Sequence, residues 1–170
     1  LFANVLKADG VARGDRVAVF LSQSLELPIA HLAAFRSGMI SIPLFALFGE
    51  DALEFRLSNS EAKAIVTDES GWEKLAKIRD RLPALKNVYV TGGKAPAGTK
   101  PFWSSLKAAS PDFATVDTSA DDPALIIYTS GTTGNPKGAL HAHRVVLGHL
   151  PNVEMCHNFL PKPYDLMWTP

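Results

Sequence analysis

Cysteine is almost absent: Cys156 stands alone among 170 residues, so the chain holds no internal disulfide. A fold built without such bridges suits a reducing compartment, and a cytoplasmic location is the expectation. An excess charge of either sign is also missing. Seventeen basic residues balance seventeen acidic ones, scattered with no basic stripe, which argues against the electrostatic footprint that nucleic-acid binding requires. No long hydrophobic run is present. The richest, residues 39–48, is broken by Ser41 and Pro43 and falls well short of the roughly 20 residues of a membrane-spanning helix, so a soluble protein is expected. There is no repeat at solenoid spacing. These absences leave a small molecule as the natural partner, and 170 residues suffice for one domain with its own core.

What is present is an alternation of apolar runs with helical periodicities. Residues 16–21 read as a strand, followed by Leu25, Ile29, Leu32 and Phe35 at helical spacing, with Pro28 tolerated in the first turn and Gly38 closing the helix. Residues 39–44 read as a second strand. Gly49 then precedes Glu50 and Asp51 at the positive end of a helix carrying Leu53 and Leu57. A third strand at 62–67 leads to a helix opened by a capping box of Ser70 and Glu73. Trp72, Leu75, Ile78 and Leu82 lie along that helix, Pro83 ends it, and a fourth strand follows at 86–91. Apolar strand runs separated by helices predict an α/β fold, a mostly parallel sheet with helices on both faces.

From 92 to 123 the composition shifts to Gly, Pro, Ser, Thr and Asp. This stretch reads as a connector with one short helix at 102–108, docked on the core through Phe102 and Trp103. The expected organisation is a first sheet region over 1–91, the connector over 92–123 and a second region over 124–170. The second region starts with a strand at 124–128 and holds a helix at 144–150 stopped by Pro151. The chain opens on Leu1, not methionine, and ends at Pro170 just after a strand-like run, so it is expected to be a piece of a longer protein. Sheet edges and apolar faces exposed by truncation would then favour self-association.

Directly behind the strand at 124–128 comes Thr129-Ser130-Gly131-Thr132-Thr133-Gly134-Asn135-Pro136-Lys137-Gly138. Glycines let backbone amides turn towards an anion, the hydroxyls of Thr129, Ser130, Thr132 and Thr133 add neutral donors, and Lys137 supplies positive charge. That set suits polyphosphate. It is not a Walker loop, which needs glycine before its lysine and a hydroxyl residue after it; here Pro136 precedes Lys137 and Gly138 follows. The alternative is a glycine-rich hairpin turn of no chemical consequence, against which stand four hydroxyls and a lysine gathered together.

Tyr128 to Gly138, read as Tyr-Thr-Ser-Gly-Thr-Thr-Gly-Asn-Pro-Lys-Gly, resembles without a break the signature loop of the adenylate-forming, AMP-binding superfamily. Acyl-CoA synthetases, luciferases and peptide-synthetase adenylation domains belong to it. Gly14-Asp15-Arg16-Val17-Ala18-Val19, the helix after it and Ile42-Pro43-Leu44 are similar to the early region of those proteins, and Asp165 to Pro170 resembles the acetyl- and medium-chain acyl-CoA synthetase branch. The resemblance implies a ligase of fatty acid metabolism acting on a carboxylate, ATP with Mg2+, and coenzyme A. It implies phosphate contacts from Thr129, Ser130, Gly131, Thr132, Thr133, Gly134, Asn135 and Pro136, with Lys137 as binding and catalytic charge partner. The adenine, ribose and magnesium motifs of such enzymes would lie beyond Pro170, and the piece alone is expected to be inactive. Another adenylating ligase, for aryl or amino acids, and a noncatalytic phosphate-binding or assembly module are the alternatives.

His141 and His143 alternate on a segment read as extended, which would put both rings on one face. A metal needs three or four ligands, so ordinary hydrogen-bonded histidines are favoured and no metal residue is assigned. His31, His149 and His157 have the same reading. Trp168 either borders a pocket or belongs to a core, and Cys156 has nothing beside it to activate a nucleophile.

Overall fold

The computed structural model describes residues 1–130, 134–157, 159 and 162–164. Its elements run α1 (Phe2–Ala8), β1 (Arg16–Phe20), α2 (Glu26–Arg36), β2 (Ile40–Leu44), α3 (Glu50–Asn59), β3 (Ala64–Thr67) and α4 (Glu69–Ile78) with a short 3-10 turn (Arg79–Arg81). They continue with β4 (Asn87–Val90), β5 (Lys100–Pro101), α5 (Phe102–Ala108), β6 (Pro123–Thr129), β7 (Lys137–Ala142) and α6 (Arg144–Cys156). The strands form one sheet in the order β5-β4-β3-β1-β2-β6-β7. All neighbours are parallel except β6 and β7.

The pleat sorts alternate residues to opposite faces. Val17 and Val19 of β1, Ala64 and Val66 of β3 and Tyr89 of β4 join α1, α2 and α5 in one core. Ala18, Phe20, Ile65, Val88 and Val90 face the other way and pack with Leu53 and Leu57 of α3 and Leu75 and Ile78 of α4. Helices therefore cover both faces of the mostly parallel sheet, as the apolar strand runs predict.

Caps set the local boundaries. Helix α2 ends in a Schellman turn: Gly38 adopts φ +63°, Met39 N–H donates to the Ala34 carbonyl at 2.9 Å and Gly38 N–H to that of Phe35 at 3.1 Å. Its buried stripe is Ala30, Ala33 and Ala34, whereas Leu25 and Leu32 are exposed, contrary to the expected leucine face. Small residues let the helix lie close to the sheet. Helix α4 is capped by Asp68, whose Oδ1 accepts from Gly71 N–H at 2.8 Å and from Ser70 Oγ at 2.9 Å; the expected Ser70/Glu73 box gives way because Asp68 already satisfies the free amide.

Three elements escape the sequence reading. Helix α1 has no preceding cap signal, and β5 is two residues inside the Gly/Pro-rich stretch, pairing Lys100 with Tyr89 and Pro101 with Val90. Lys100 Nζ and Tyr89 Oη both reach the Asp9 carboxylate, at 2.5 Å, which fixes this edge to the loop after α1. Strand β7 is the third. Pro151 does not stop α6, which runs on to Cys156.

Gly71 carries a stability prediction. A methyl group there would stand 2.0 Å from Thr67 Oγ1 and 2.8 Å from the Phe20 ring. Helix propensity favours alanine by about 1 kcal/mol, but overpacking against a buried ring costs about 1–3 kcal/mol. Gly71→Ala should lower the unfolding free energy of the chain by up to about 2 kcal/mol, read from the midpoint of a urea titration; a raised midpoint would contradict this packing.

Candidate functional site

Strand β6 lies parallel to β2 through Ser41 and Leu125, so the segment after Thr129 leaves the sheet at the same carboxyl edge as the loops after β1, β2 and β3. In open α/β sheets that edge is where ligands bind. Thr129 pairs with Lys137 and Tyr128 with Gly138 across the antiparallel β6–β7 pair. The signature segment is thus the connection of a hairpin, and Lys137 opens a strand at its mouth, directly across from Thr129.

Thr129, Ser130, Gly134, Asn135 and Lys137 are exposed and Pro136 is half-buried; Gly131, Thr132 and Thr133 lie outside the described residues. Gly134 adopts φ +98°, a conformation glycine takes without strain. The chain thus brings together at one edge a lysine, two hydroxyls and a backbone turned by glycine. Trp168, with the rest of 165–170, also lies outside the described residues.

Beneath the hairpin sits a cluster the sequence reading did not single out. The Tyr128 hydroxyl donates to Asn59 Oδ1 at 2.7 Å. A Cβ on Gly138 would stand 3.3 Å from the Tyr128 ring, so glycine there lets β7 lie over the ring. The Arg56 guanidinium lies 4.1 Å from the Phe48 ring centre and 5.6 Å from that of Tyr128. Burial pushes the Arg56 pKa below its ordinary value, while the Tyr128 phenol is pushed above its own by burial, against the opposing influence of Arg56. Lys74 Nζ donates to the Ala46 and Phe48 carbonyls at 3.2 and 3.1 Å, bracing the loop between β2 and α3. A signal for this cluster was in the sequence: Leu53, Arg56 and Leu57 fall at i, i+3, i+4, which puts a cation on a buried helix face.

The histidines do not assemble a metal site. His141 is on β7, but His143 is the N-cap residue of α6 with helical angles, so the two do not share one extended face as the spacing suggested. Among the described residues no group of three or more His, Cys, Asp or Glu side chains is placed to hold a metal ion. His149 and His157 are exposed, as is Cys156, whose Sγ lies 3.2 Å from Asn152 Oδ1.

His31 Nδ1 meets Ser41 Oγ at 2.7 Å, and burial lowers its pKa. The folded state therefore resists protonation. Stability is full above the unfolded value of about 6.5 and is lost as pH falls through the lower folded value. His31→Gln should flatten the decline of the urea midpoint between pH 7.5 and 5.5; an equally steep decline in the variant would contradict the assignment.

The family described as AMP-binding enzyme matches residues 1–170. An acetyl-coenzyme A synthetase of Syntrophobacter fumaroxidans is 36% identical over 96% of this chain and 27% of its own length. One from Bacillus subtilis is 41% identical over 85% and 25%. The chain thus spans about a quarter of the curated relatives it matches. Among solved structures, an anthranilate CoA ligase in complex with anthranoyl-AMP superposes with a TM-score of 0.84 and 25% identity, covering 89% of this chain and 30% of that one. A Brucella canis acyl-CoA synthetase gives 0.80 and 32%, covering 89% and 28%. The signature motif, the sheet that presents it and the match along all 170 residues agree: the chain belongs to the AMP-binding enzyme family.

Proposed function

We propose that the protein containing this chain is an ATP-dependent, AMP-forming acyl-CoA synthetase acting on acetate-like or medium-chain carboxylates. The observation that carries this reading is the signature motif standing at the carboxyl edge of the parallel strands, with Lys137 opposite Thr129 at its mouth. The similarity to acetyl-coenzyme A synthetases of two bacteria supports the acid-thiol ligase class.

In the first step a carboxylate oxygen attacks the α-phosphorus of ATP, the bond to the bridging β-phosphate oxygen breaks, and pyrophosphate leaves. The product is a mixed anhydride with AMP. In the second, the sulfur of coenzyme A, having given up its proton, attacks the acyl carbon and AMP departs with the bonding pair. A free carboxylate resists thiol attack because its carbonyl carbon bears an anionic oxygen; adenylation supplies a leaving group. The residues of this chain serve the first step by positioning and by neutralising charge. Thr129, Ser130, Thr132 and Thr133 donate from hydroxyls to the β- and γ-phosphates, Gly131 and Gly134 present amides, Asn135 and Pro136 shape the turn, and Lys137 supplies the positive charge. Magnesium, which accompanies the nucleotide, would neutralise phosphate charge; the described residues offer no acidic set for it.

Among the described residues no helix is long and apolar enough to cross a membrane; the cytoplasm, where ATP and coenzyme A are supplied, is the setting proposed for this chemistry. An aryl substrate is the second reading, favoured by the likeness to the anthranilate ligase. Hydroxylamine trapping with the full-length protein, ATP and a panel of acetate, butyrate, octanoate and benzoate separates the two. Hydroxamate from the aliphatic acids is expected; hydroxamate from benzoate alone would assign the protein to the aryl class.

A further inference from the structure

Arg56 is placed where a cation has little reason to be unless it does something. It is only 8% exposed, its Nη1 donates to the Ala52 carbonyl at 2.9 Å, and its Nε is buried without a hydrogen-bond partner. No carboxylate pairs with it among the described residues. A guanidinium held this way would be replaced at little cost in stability by an apolar side chain of similar length, so packing alone does not account for it.

Its two aromatic neighbours say what it joins. Phe48 lies at the end of the loop between β2 and α3, which Lys74 braces from the other side through the Ala46 and Phe48 carbonyls. Tyr128 is the residue before Thr129, paired in register with Gly138, the residue after Lys137. The guanidinium, 4.1 Å from the Phe48 ring centre and 5.6 Å from that of Tyr128, links one carboxyl-edge loop to both roots of the signature hairpin. A desolvated cation between π faces has a strong preference for that geometry, which a methylene chain lacks.

We propose that Arg56 is a positioning residue that clamps Phe48 and Tyr128 and thereby sets the β6–β7 hairpin, and with it the nucleotide-phosphate loop, against the β2–α3 loop. The second half of this proposal rests on the reading of that loop as an ATP-phosphate grip. Arg56 touches no reacting atom; it acts through Tyr128, whose hydroxyl is tied to α3 at Asn59.

The test uses the full-length protein with Arg56→Met, Arg56→Lys, Tyr128→Leu and the Met/Leu double variant. Amide hydrogen exchange over β6 and β7 reads the clamp directly, and the KM values for MgATP and carboxylate in pyrophosphate exchange read its consequence. Arg56→Met should lose protection about tenfold in β6 and β7 only, with β1 and β3 unchanged, and raise the KM for MgATP about tenfold while the KM for carboxylate holds. Arg56→Lys, which keeps the cation, should recover most of both, and the double variant should be no worse than Tyr128→Leu. Unchanged hairpin protection in Arg56→Met would overturn the clamp, as would an even loss across β1, β3 and the hairpin, or a lysine variant no better than methionine. If the unsubstituted protein shows no carboxylate-dependent exchange, the ATP reading falls while the hydrogen-exchange arm still decides the clamp.

Discussion

Lys137→Ala in the full-length protein is expected to slow adenylate formation by about two to three decades while leaving thiol transfer from supplied acyl-adenylate nearly intact. Lys137 is exposed at the start of β7, across from Thr129, so its removal leaves the core untouched and the effect falls on chemistry. In the proposed mechanism pyrophosphate departs in the first step and is gone before the second. A charge-assisted contact made to a developing anion is worth on the order of 2–4 kcal/mol in the transition state, which sets the size of the loss. Pyrophosphate exchange and thioester formation from synthetic acyl-adenylate, measured side by side, check it. Equal losses in both reactions would remove Lys137 from this role.

The 170-residue chain alone should bind MgATP no better than about millimolar and form no acyl-adenylate. On the proposed reading its signature segment reaches phosphate only, and a lone phosphate grip competes with hydration while bearing the whole cost of immobilising the nucleotide; millimolar corresponds to about 4 kcal/mol. The surface around that segment also exposes apolar side chains. Helix α6 has no buried residue, Ile127 of β6, Leu140 of β7 and Leu147, Leu150 and Met155 of α6 are exposed, and β7 is an edge strand of the sheet. Apolar faces next to an unpaired strand promote association, so the chain is expected to sediment as more than a monomer. Isothermal titration with MgATP, a hydroxylamine trap and sedimentation velocity address these points. Micromolar binding or acyl hydroxamate from the chain would show a more complete site than the one described.

Strands β1, β3 and β4 are legible because they are buried on both faces. Val17 to Phe20 are apolar throughout and Ala64 to Val66 are followed by a single buried polar residue, Thr67, and the Gly38 turn and Gly49 start are marked by residues whose backbone chemistry is distinctive. Elements with little of their own core are not legible in this way. Strand β7 reads Lys-Gly-Ala-Leu-His-Ala, mostly exposed, and takes its conformation from pairing with β6; β5 is made by its neighbour Tyr89 and by the Asp9 carboxylate. Pro151 looks like a stop, yet it sits in a helix that buries nothing, where one missing amide bond meets no packing constraint. For the site, the phosphate chemistry proposed for 129–138 is suggested by residue types alone. The support beneath it is not, because the partnership of Arg56, Phe48 and Tyr128 joins positions far apart in the chain and appears only once β6 is laid beside β2.

Carboxylate-dependent exchange of labelled pyrophosphate into ATP by the full-length protein, without coenzyme A, tests the central claim most directly. Adenylation by attack at the α-phosphorus predicts exchange that needs a carboxylate and is lost with Lys137→Ala. No exchange with any carboxylate, or release of ADP with an acyl phosphate in its place, would contradict it.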